Sequence, residues 1–342
     1  MRELIIDLDA IAYNLEVMRK SAGGVKVCGV VKANAYGHGM VEVARKLEDA
    51  GVDYLGVADI AEALELRRAG IDAPILAWLH DPHEMFVEAL NEGIELGLAN
   101  EDHLNRVAAA AEITGRLARV HLKIDTGLNR NGATAAEWEG LLRLARALVA
   151  EGFIQVVGIF SHLSSTGEAE DLAQIERFDA AVEIARESGL QFELRHLTAS
   201  DGSMSYPQAQ YEMVRVGVAL YGLSPFSDNK ASAYGLRPAM TATAHVTQVK
   251  RVPAGEGVSY GYMHRTAAET TLALIPVGYA EGLPRDASGK ASVSIHGKTY
   301  PISSRIAMDQ FVIDVGDDDV SAGDLVTIFG DSESDRKSTR LN

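Results

Sequence analysis

Short apolar runs alternate with longer stretches of helical period between Leu4 and about Arg215. Buried strands of a parallel sheet read as short continuous apolar runs, and crossover helices read as apolar positions spaced three and four apart. The predicted strands are Val25 to Val31, Tyr54 to Val57, Ile75 to Trp78, Ile94 to Leu98, Val120 to Ile124, Phe153 to Phe160, Phe192 to Leu197 and Met213 to Val216. The predicted helices are Met40 to Ala50, Ala61 to Ala69, Glu101 to Ala111, Ala136 to Ala150 and Leu172 to Ser188. This α/β pattern predicts a TIM (β/α)8 barrel.

The character of the sequence changes after Tyr221. Glycine, proline and serine cluster from Gly222 to Gly235, and shorter alternating runs follow with turns between them. These runs are Ala242 to Lys250, Thr271 to Ile275, Ala291 to Ile295 and Phe311 to Val315. Alternation with a period of two is typical of half-buried antiparallel strands. We therefore predict a barrel domain over residues 8–228 and a smaller, mainly antiparallel β domain over residues 235–334, to which residues 1–7 also belong.

The last eight residues, 335–342, have a different origin in our interpretation. Their back-translation, GAT CGG AAG AGC ACA CGT CTG AAC, reads as a common sequencing-library adapter. We therefore expect a foreign tail that follows an incomplete β domain.

Charge and composition exclude several classes of function. Acidic residues outnumber basic ones 48 to 32, for a formal charge of -16, which repels phosphate backbones and anionic lipid headgroups. We therefore expect no nucleic-acid or membrane partner. No apolar run approaches the roughly 18 residues of a membrane span, and no signal-peptide pattern opens the chain, so we expect a cytoplasmic location. Cys28, the single cysteine, lies in an apolar run and predicts a buried, non-catalytic thiol.

The candidate chemistry lies where the predicted strands end, as in TIM barrels generally. Lys32 directly follows the first predicted strand, and partial burial there would make its amine nucleophilic enough to form a Schiff base. Ser200 and the pair Gly217-Val218 follow the last two predicted strands, where barrels often bind phosphate. A lysine opposite a phosphate site suggests pyridoxal 5'-phosphate. Each feature taken alone is also typical of a surface lysine or of ordinary turns.

The segment Val31-Lys32-Ala33-Asn34-Ala35-Tyr36-Gly37-His38-Gly39 resembles the cofactor-attachment motif of the alanine racemase family. Further blocks resemble the same family in the same order: His121 to Gly127, Arg215 to Gly222, Val258 to Gly261, Pro276 to Tyr279 and Arg305 to Gln310. The resemblance extends from about Ile5 to Gly330. Members of the family continue beyond that point with further strands, so the resemblance also implies that this chain is truncated at its C-terminus.

The resemblance implies an isomerase that interconverts L-alanine and D-alanine on bound pyridoxal phosphate and so supplies D-alanine for peptidoglycan. It also implies a homodimer whose active sites are shared between subunits. Lys32 would hold the cofactor as a Schiff base and act as one base, and Tyr260 of the partner subunit would be the opposing base. Arg215 would face the pyridine nitrogen and leave it unprotonated, because a guanidinium keeps its own proton. The other implied roles are phosphate binding by Tyr36, Ser200, Gly217 and Val218, contact with the ring by His162, substrate binding by Arg130, Met308 and Tyr279, and carbamylation of Lys123 to position Arg130.

Other functions remain possible on the sequence alone. A racemase of broader specificity, a decarboxylase or a non-catalytic pyridoxal-phosphate-binding barrel would share Lys32 and the phosphate site. The motif around Tyr260 favours an enzyme over a binding protein. A metal site at His80 and His83, or at His162 and His196, is not predicted, because those spacings match no established ligand pattern.

Overall fold

The structure, a computed structural model, describes residues 2–227 and 230–330. The chain divides into two compact units, Leu8–Arg237 and Met1–Asp7 with Pro238–Asn342. We call these the barrel unit and the β unit. The predicted foreign tail, residues 335–342, lies outside the described residues.

The secondary structure of the described residues consists of strands, helices and short 3-10 turns. In chain order the strands are β1 (Arg2–Ile6), β2 (Lys26–Val30), β3 (Tyr54–Val57), β4 (Ile75–Ala77), β5 (Glu95–Leu98), β6 (Ala118–Lys123), β7 (Ile154–Phe160), β8 (Leu194–His196), β9 (Met213–Val216), β10 (Met240–His245), β11 (Gln248–Val252), β12 (Gly257–Val258), β13 (His264–Arg265), β14 (Thr270–Ile275), β15 (Ser292–Ile295), β16 (Lys298–Pro301), β17 (Phe311–Gly316) and β18 (Leu325–Phe329). The helices are α1 (Leu8–Ser21), α2 (Lys32–Gly37), α3 (Met40–Asp49), α4 (Ile60–Arg68), α5 (Val87–Asn91), α6 (Glu101–Thr114), α7 (Ala135–Ala150), α8 (Glu168–Glu187) and α9 (Ser200–Ser205). Short 3-10 helices cover Pro207–Ala209, Val218–Tyr221, Ala231–Tyr234, Tyr260–Tyr262, Tyr279–Glu281 and Arg285–Ala287.

The strands of the barrel unit form a parallel sheet in the order β8-β7-β6-β5-β4-β3-β2-β9. The two end strands are also neighbours, because Arg215 N donates to the carbonyl of Thr198 over 3.1 Å. At the opposite end of the same pair, Arg195 N donates to the Glu212 carboxylate over 2.8 Å. The predicted TIM barrel is confirmed, and every predicted barrel strand overlaps an observed one. Cys28 is buried in β2, as predicted.

The helices of the barrel unit follow from their sequences. Helix α3 buries Met40, Val43, Ala44 and Leu47, whose spacing of three and four places them on one face. Side-chain caps mark where helices begin: Asp59 accepts the Glu62 N–H before α4, and Asn100 accepts the His103 N–H before α6. These caps satisfy N–H groups that have no partner inside the helix.

The β unit is built from antiparallel strands, as predicted. Its larger sheet has the order β1-β10-β18-β15-β16, a second sheet has the order β11-β14-β17, and β12 pairs with β13. Apolar side chains of both larger sheets, such as Val326 and Ile313, pack into one core. The run Ala242 to Lys250, predicted as one strand, is divided between β10 and β11. The chain changes sheets at Val246, whose N–H donates to Asp324 O, and Thr247, whose N–H donates to Leu274 O.

None of the helices in the described part of the chain combines the length and apolar character needed to cross a membrane.

Replacing Asn14 by alanine should destabilise the barrel unit by about 2–4 kcal/mol. This side chain of α1 is fully buried and donates to the carbonyls of Leu220 and Arg237, while it accepts the Arg237 N–H. Alanine would leave those backbone groups without partners. Denaturant unfolding measures the loss, and Asn91→Ala, at an exposed helix end, is the control with an expected effect under about 0.5 kcal/mol. An equal loss of unfolding free energy in the two variants would contradict the stabilising role of the Asn14 hydrogen bonds.

Candidate active site

Lys32 lies directly after β2, at the end of the barrel where the strands end. Its side chain lines a cavity of about 360 Å³, a volume within the range of small-molecule sites. The lining residues are Val30, Lys32, Tyr36, Trp78, Lys123, Arg130, Phe160, His162, Ser165, Ala199, Ser200, Asp201, Arg215, Gly217, Val218 and Pro225. The structure thus brings together all the site residues that the sequence predicted in the barrel.

The segment after Lys32 has a left-handed backbone. Ala33, Asn34, Ala35 and Tyr36 all have φ between 52° and 55°, which costs roughly 1–2 kcal/mol for each residue with a Cβ. Hydrogen bonds hold the segment from outside: Glu62 accepts the Ala33 N–H over 2.7 Å, and Asn34 Oδ1 accepts the Met40 N–H over 2.8 Å. Backbone strain of this kind persists only where the surroundings fix it, and it is concentrated at functional sites.

This left-handed turn directs Tyr36 toward the loop after β9. A Cβ added to Gly217 would lie 2.4 Å from Tyr36 Oη, so only glycine permits this approach. Ser200 Oγ accepts the N–H groups of Gly217 (3.2 Å) and Ala219 (3.4 Å), which leaves its own proton free for a ligand. Two hydroxyl groups and a glycine backbone therefore converge on one part of the cavity wall.

Arg215 is a buried cation at the cavity. Its Nη1 donates to His196 Nδ1 (2.8 Å) and its Nη2 donates to His162 Nδ1 (3.0 Å). Backbone carbonyls of Ser161, Leu197 and His196 accept from the same two nitrogens. Burial lowers the pKa of Arg215 to about 10, so the guanidinium stays protonated at neutral pH.

Lys123 and Arg130 come from β6 and from the loop that follows it. The loop folds back on its strand, where Ala133 N donates to Lys123 O and Asp125 N donates to Ala133 O, each over 2.9 Å. Gly132 makes this return possible, because a Cβ there would lie 2.5 Å from Asp125 N. The Lys123 amine is 5.3 Å from the centroid of the Phe160 ring.

The cavity is electropositive although the chain is acidic. Lys32, Lys123, Arg130 and Arg215 line it together with a single carboxylate, Asp201. Burial, assisted by Arg130, lowers the pKa of Lys32 below its usual value near 10.5. Burial and the charges of Arg215 and Arg130 lower the pKa of Lys123 to about 8. The arrangement favours an anionic ligand and reactive amines.

Three predicted site residues, Tyr260, Tyr279 and Met308, belong to the β unit and are exposed on it by 69%, 43% and 59%. Tyr279 and Met308 lie on adjoining loops: Ala280 N donates to Met308 O over 2.8 Å, and Tyr279 N donates to Ala307 O over 3.1 Å. These side chains are therefore open to a partner molecule.

Two aromatic residues line the site although the sequence predicted no role for them. Trp78 follows β4 and lies 6.0 Å from the Lys32 amine, and Phe160 ends β7 and stacks on His196. Their position at strand ends was the signal that could have found them. No group of three or more His, Cys, Asp or Glu side chains suited to a metal occurs in the described residues.

Replacing His162 by glutamine should make the barrel unit less sensitive to acid. Burial and the charge of Arg215 lower the pKa of His162 to about 3, against about 6.5 in an unfolded chain. The unfolded state therefore binds more protons between these values, and the free energy of unfolding falls as pH falls below 6.5. Between about pH 8 and about pH 5, His162 should lower the free energy of unfolding by about 2 kcal/mol. The glutamine variant should not lose this amount.

Denaturant unfolding at both pH values measures the difference. His83→Gln, at an exposed loop position, is the matched control and should lose as much stability as the original chain. The explanation fails if His162→Gln loses that same amount.

Two family models match this chain. The one described as "Alanine racemase, N-terminal domain" matches residues 6–225, and "Alanine racemase, C-terminal domain" matches residues 239–341. The alanine racemase of Frankia casuarinae is 46% identical over 330 residues, which are 95% of this chain and 86% of that protein. The alanine racemase of Thermobifida fusca is 46% identical over 331 residues, 96% and 88% of the two chains.

Solved structures give the same result. The alanine racemase of the D-cycloserine producer Streptomyces lavendulae superposes with a TM-score of 0.93 at 43% identity, over 96% of this chain and 87% of that one. The alanine racemase of Streptomyces coelicolor also superposes with a TM-score of 0.93, at 40% identity, over 96% and 88%. With both of its units matched in sequence and structure, this chain belongs to the alanine racemase family.

Proposed function

We propose that this protein interconverts L-alanine and D-alanine with pyridoxal 5'-phosphate held at Lys32. The observation that carries the proposal is the combination found in one cavity: an amine of lowered pKa at the end of β2, opposite a hydroxyl and glycine cradle, among cationic side chains. A phosphate ester and an amino-acid carboxylate both suit such a cavity.

The residues present fit the cofactor. Tyr36 Oη and Ser200 Oγ, with the backbone at Gly217 and Val218, would hold the phosphate. Burial raises the pKa of Tyr36, so its phenol keeps the proton that it would donate to phosphate oxygen. The close approach of Tyr36 to Gly217 is explained by this role, because a side chain at that position would displace the donor.

Bound pyridoxal phosphate would supply an aldehyde that joins the substrate amine and a conjugated ring that draws electrons from Cα. Arg215, which stays protonated, would donate to the ring nitrogen without giving up its proton. His162, whose lowered pKa keeps it neutral, would lie beside the ring without adding charge. These two side chains would restrain the electron withdrawal, which suits a proton exchange at Cα.

Racemisation needs two bases, because a proton removed from one face of Cα must be replaced on the other. Lys32 Nζ is the first, since burial already lowers its pKa toward the working range. Tyr260 Oη of the partner subunit is the second, delivered by an exposed position on that subunit's β unit.

Substrate binding would use the remaining cations and loops. Arg130, exposed at the mouth of the cavity, would pair with the alanine carboxylate. Met308 and Tyr279 would reach it from the adjoining loops of the partner's β unit. Lys123, with a pKa of about 8, has an appreciable uncharged fraction near neutral pH, so it is suited to carbamylation.

This arrangement requires a homodimer with shared sites, and the exposed surface of the β unit favours one. Tyr260, Tyr262, Met263, Tyr279 and Met308 expose between 43% and 69% of their surfaces on the β unit. Exposed apolar and aromatic side chains in such numbers typically mark an interface. Two-fold symmetry would then place this surface over the partner's cavity twice in each dimer.

Mixing two inactive variants should restore activity. Lys32→Ala removes one base and Tyr260→Phe the other, and each should lower kcat for L-alanine racemisation by about 10²–10⁴-fold. If sites are shared, a heterodimer of the two variants has one site with both bases intact. An equimolar mixture, exchanged through a dissociated state, should recover about a quarter of the original D-alanine formation.

The matched control for Tyr260→Phe is Tyr262→Phe, at a neighbouring exposed tyrosine, which should keep kcat within about twofold. No recovery in a mixture shown to contain heterodimers would refute the shared site. Full activity in both single variants would refute the two-base assignment itself.

A further inference from the structure

A continuous chain of buried polar side chains crosses the interior of the barrel from β5 to β9. Glu95 Oε2 is 2.8 Å from His121 Nε2, His121 Nδ1 is 2.9 Å from His196 Nε2, and His196 Nδ1 is 2.8 Å from Arg215 Nη1. All four side chains are buried. Glu95 begins β5, so the chain leads from the far end of the barrel to the candidate active site. We call it the Glu95–Arg215 chain.

Arg215 fixes the direction of these hydrogen bonds. A guanidinium has only donors, so Nδ1 of His196 has to be an acceptor. The proton of His196 is then on Nε2 and is donated to Nδ1 of His121. His121 in turn donates from Nε2 to the Glu95 carboxylate, which only accepts. Both rings are therefore neutral and carry their proton on Nε2.

The electrostatics of the two ends agree with this direction. Burial and the charge of Arg215 hold the pKa of His196 well below its ordinary value. Burial opposes ionisation of Glu95, but hydrogen bonds from His121 and Arg119 hold its pKa below the usual range. A carboxylate at one end and a guanidinium at the other thus polarise the two rings in the same sense.

Glu95 meets three donors, the side chains of Arg119, His121 and Tyr54, and a carboxylate is suited to accept from all of them. Arg119 Nε donates to Oε1 over 2.6 Å, while His121 Nε2 donates to Oε2. An amide at this position would offer only one acceptor oxygen. If Arg119 took that oxygen, the amide N–H would face His121 and reverse the proton positions along the chain. The reversal would end with a His196 N–H directed at Arg215, donor against donor.

The hydrogen bonds at the Arg215 end of the Glu95–Arg215 chain determine which N–H group of Arg215 can bind a ligand. The N–H groups of its two terminal nitrogens face the rings of His196 and His162 and three backbone carbonyls. Among the described residues this leaves Nε–H as the donor for a ligand in the cavity. The direction of this Nε–H depends on the hydrogen bonds that hold Nη1 and Nη2.

We propose that Glu95 and His121 are positioning residues that act through His196 to hold the guanidinium of Arg215 in one orientation. The proposal rests on the proposed function, in which Arg215 faces the cofactor ring. Neither Glu95 nor His121 lines the cavity. Their influence on the cofactor ring would therefore pass through the Glu95–Arg215 chain.

The first test is the position of the imidazole protons. ¹⁵N spectra of the pyridoxal-phosphate-loaded protein with labelled histidine should show His121 and His196 as neutral rings protonated on Nε2. Signals are assigned with single His→Gln variants. A proton on Nδ1 of either ring, or two protons on one ring, would overturn the proposal.

The second test compares two carboxylates of the barrel. Glu95→Gln should lower kcat about tenfold, as removal of an outer hydrogen-bond partner commonly does, with KM for L-alanine within about twofold. It should also shift the ¹⁵N signals of His196. The control is Glu212→Gln, because Glu212 pairs with Arg195 over 2.6 Å and is not part of the Glu95–Arg215 chain. That variant should keep kcat within about twofold and leave the His196 signals in place.

A rescue separates positioning from general loss of structure. In Glu95→Gln with Arg119→Met and Tyr54→Phe, both competing donors are gone and the amide oxygen is free to accept from His121. This triple variant should recover most of the lost kcat and the original His196 signals. Equal effects of Glu95→Gln and Glu212→Gln, or no recovery in the triple variant, would refute the positioning role.

The outcomes distinguish this inference from the proposed function. A protein that does not racemise alanine would refute the proposed function, and the proton positions of His121 and His196 would still decide whether the chain is oriented as described. If Glu95→Gln does not fold, the proton positions in the original protein can still overturn the inference.

Discussion

Arg215 is a positive charge enclosed in the barrel, and the arrangement of the site follows from how that charge is accommodated. An unpaired ion in a protein interior costs several kcal/mol, and no carboxylate of the described residues touches this guanidinium. Instead its terminal nitrogens donate to two imidazole rings and three carbonyls at the ends of β7 and β8. Both rings have to be neutral to accept, and the pKa values of His162 and His196 are lowered accordingly.

The same charge influences the amines of the cavity. Lys32 and Lys123 lie near Arg215 and Arg130, and burial together with these guanidinium groups lowers both lysine pKa values. Glu62 favours the charged form of Lys32 and Asp125 that of Lys123, but burial and the guanidinium groups outweigh these carboxylates. Four cations and one carboxylate line the wall, although the chain as a whole is acidic. The cavity therefore attracts anions while its lysines become better nucleophiles and bases.

Much of the fold could be predicted because burial on both faces of a parallel strand gives an unmistakable apolar run. Strands β3 and β9 have the predicted bounds, and Lys32, Ser200 and Gly217 lie at the mouth because each follows a strand. The left-handed turn at Ala33 to Tyr36 could not be predicted, since alanine and tyrosine do not favour it locally. Its conformation depends on Glu62, a distant residue that accepts the Ala33 N–H. No role was predicted for Glu95 or His121 for a similar reason: in the sequence they are ordinary polar residues within apolar strands.

Borohydride reduction of the cofactor-loaded protein, followed by peptide mapping, decides whether Lys32 carries pyridoxal phosphate at the barrel mouth. We expect a visible absorbance band that disappears on reduction and a stable pyridoxyl group on the peptide containing Lys32. A label on Lys123 or on surface lysines alone, or no covalent label at all, would contradict it.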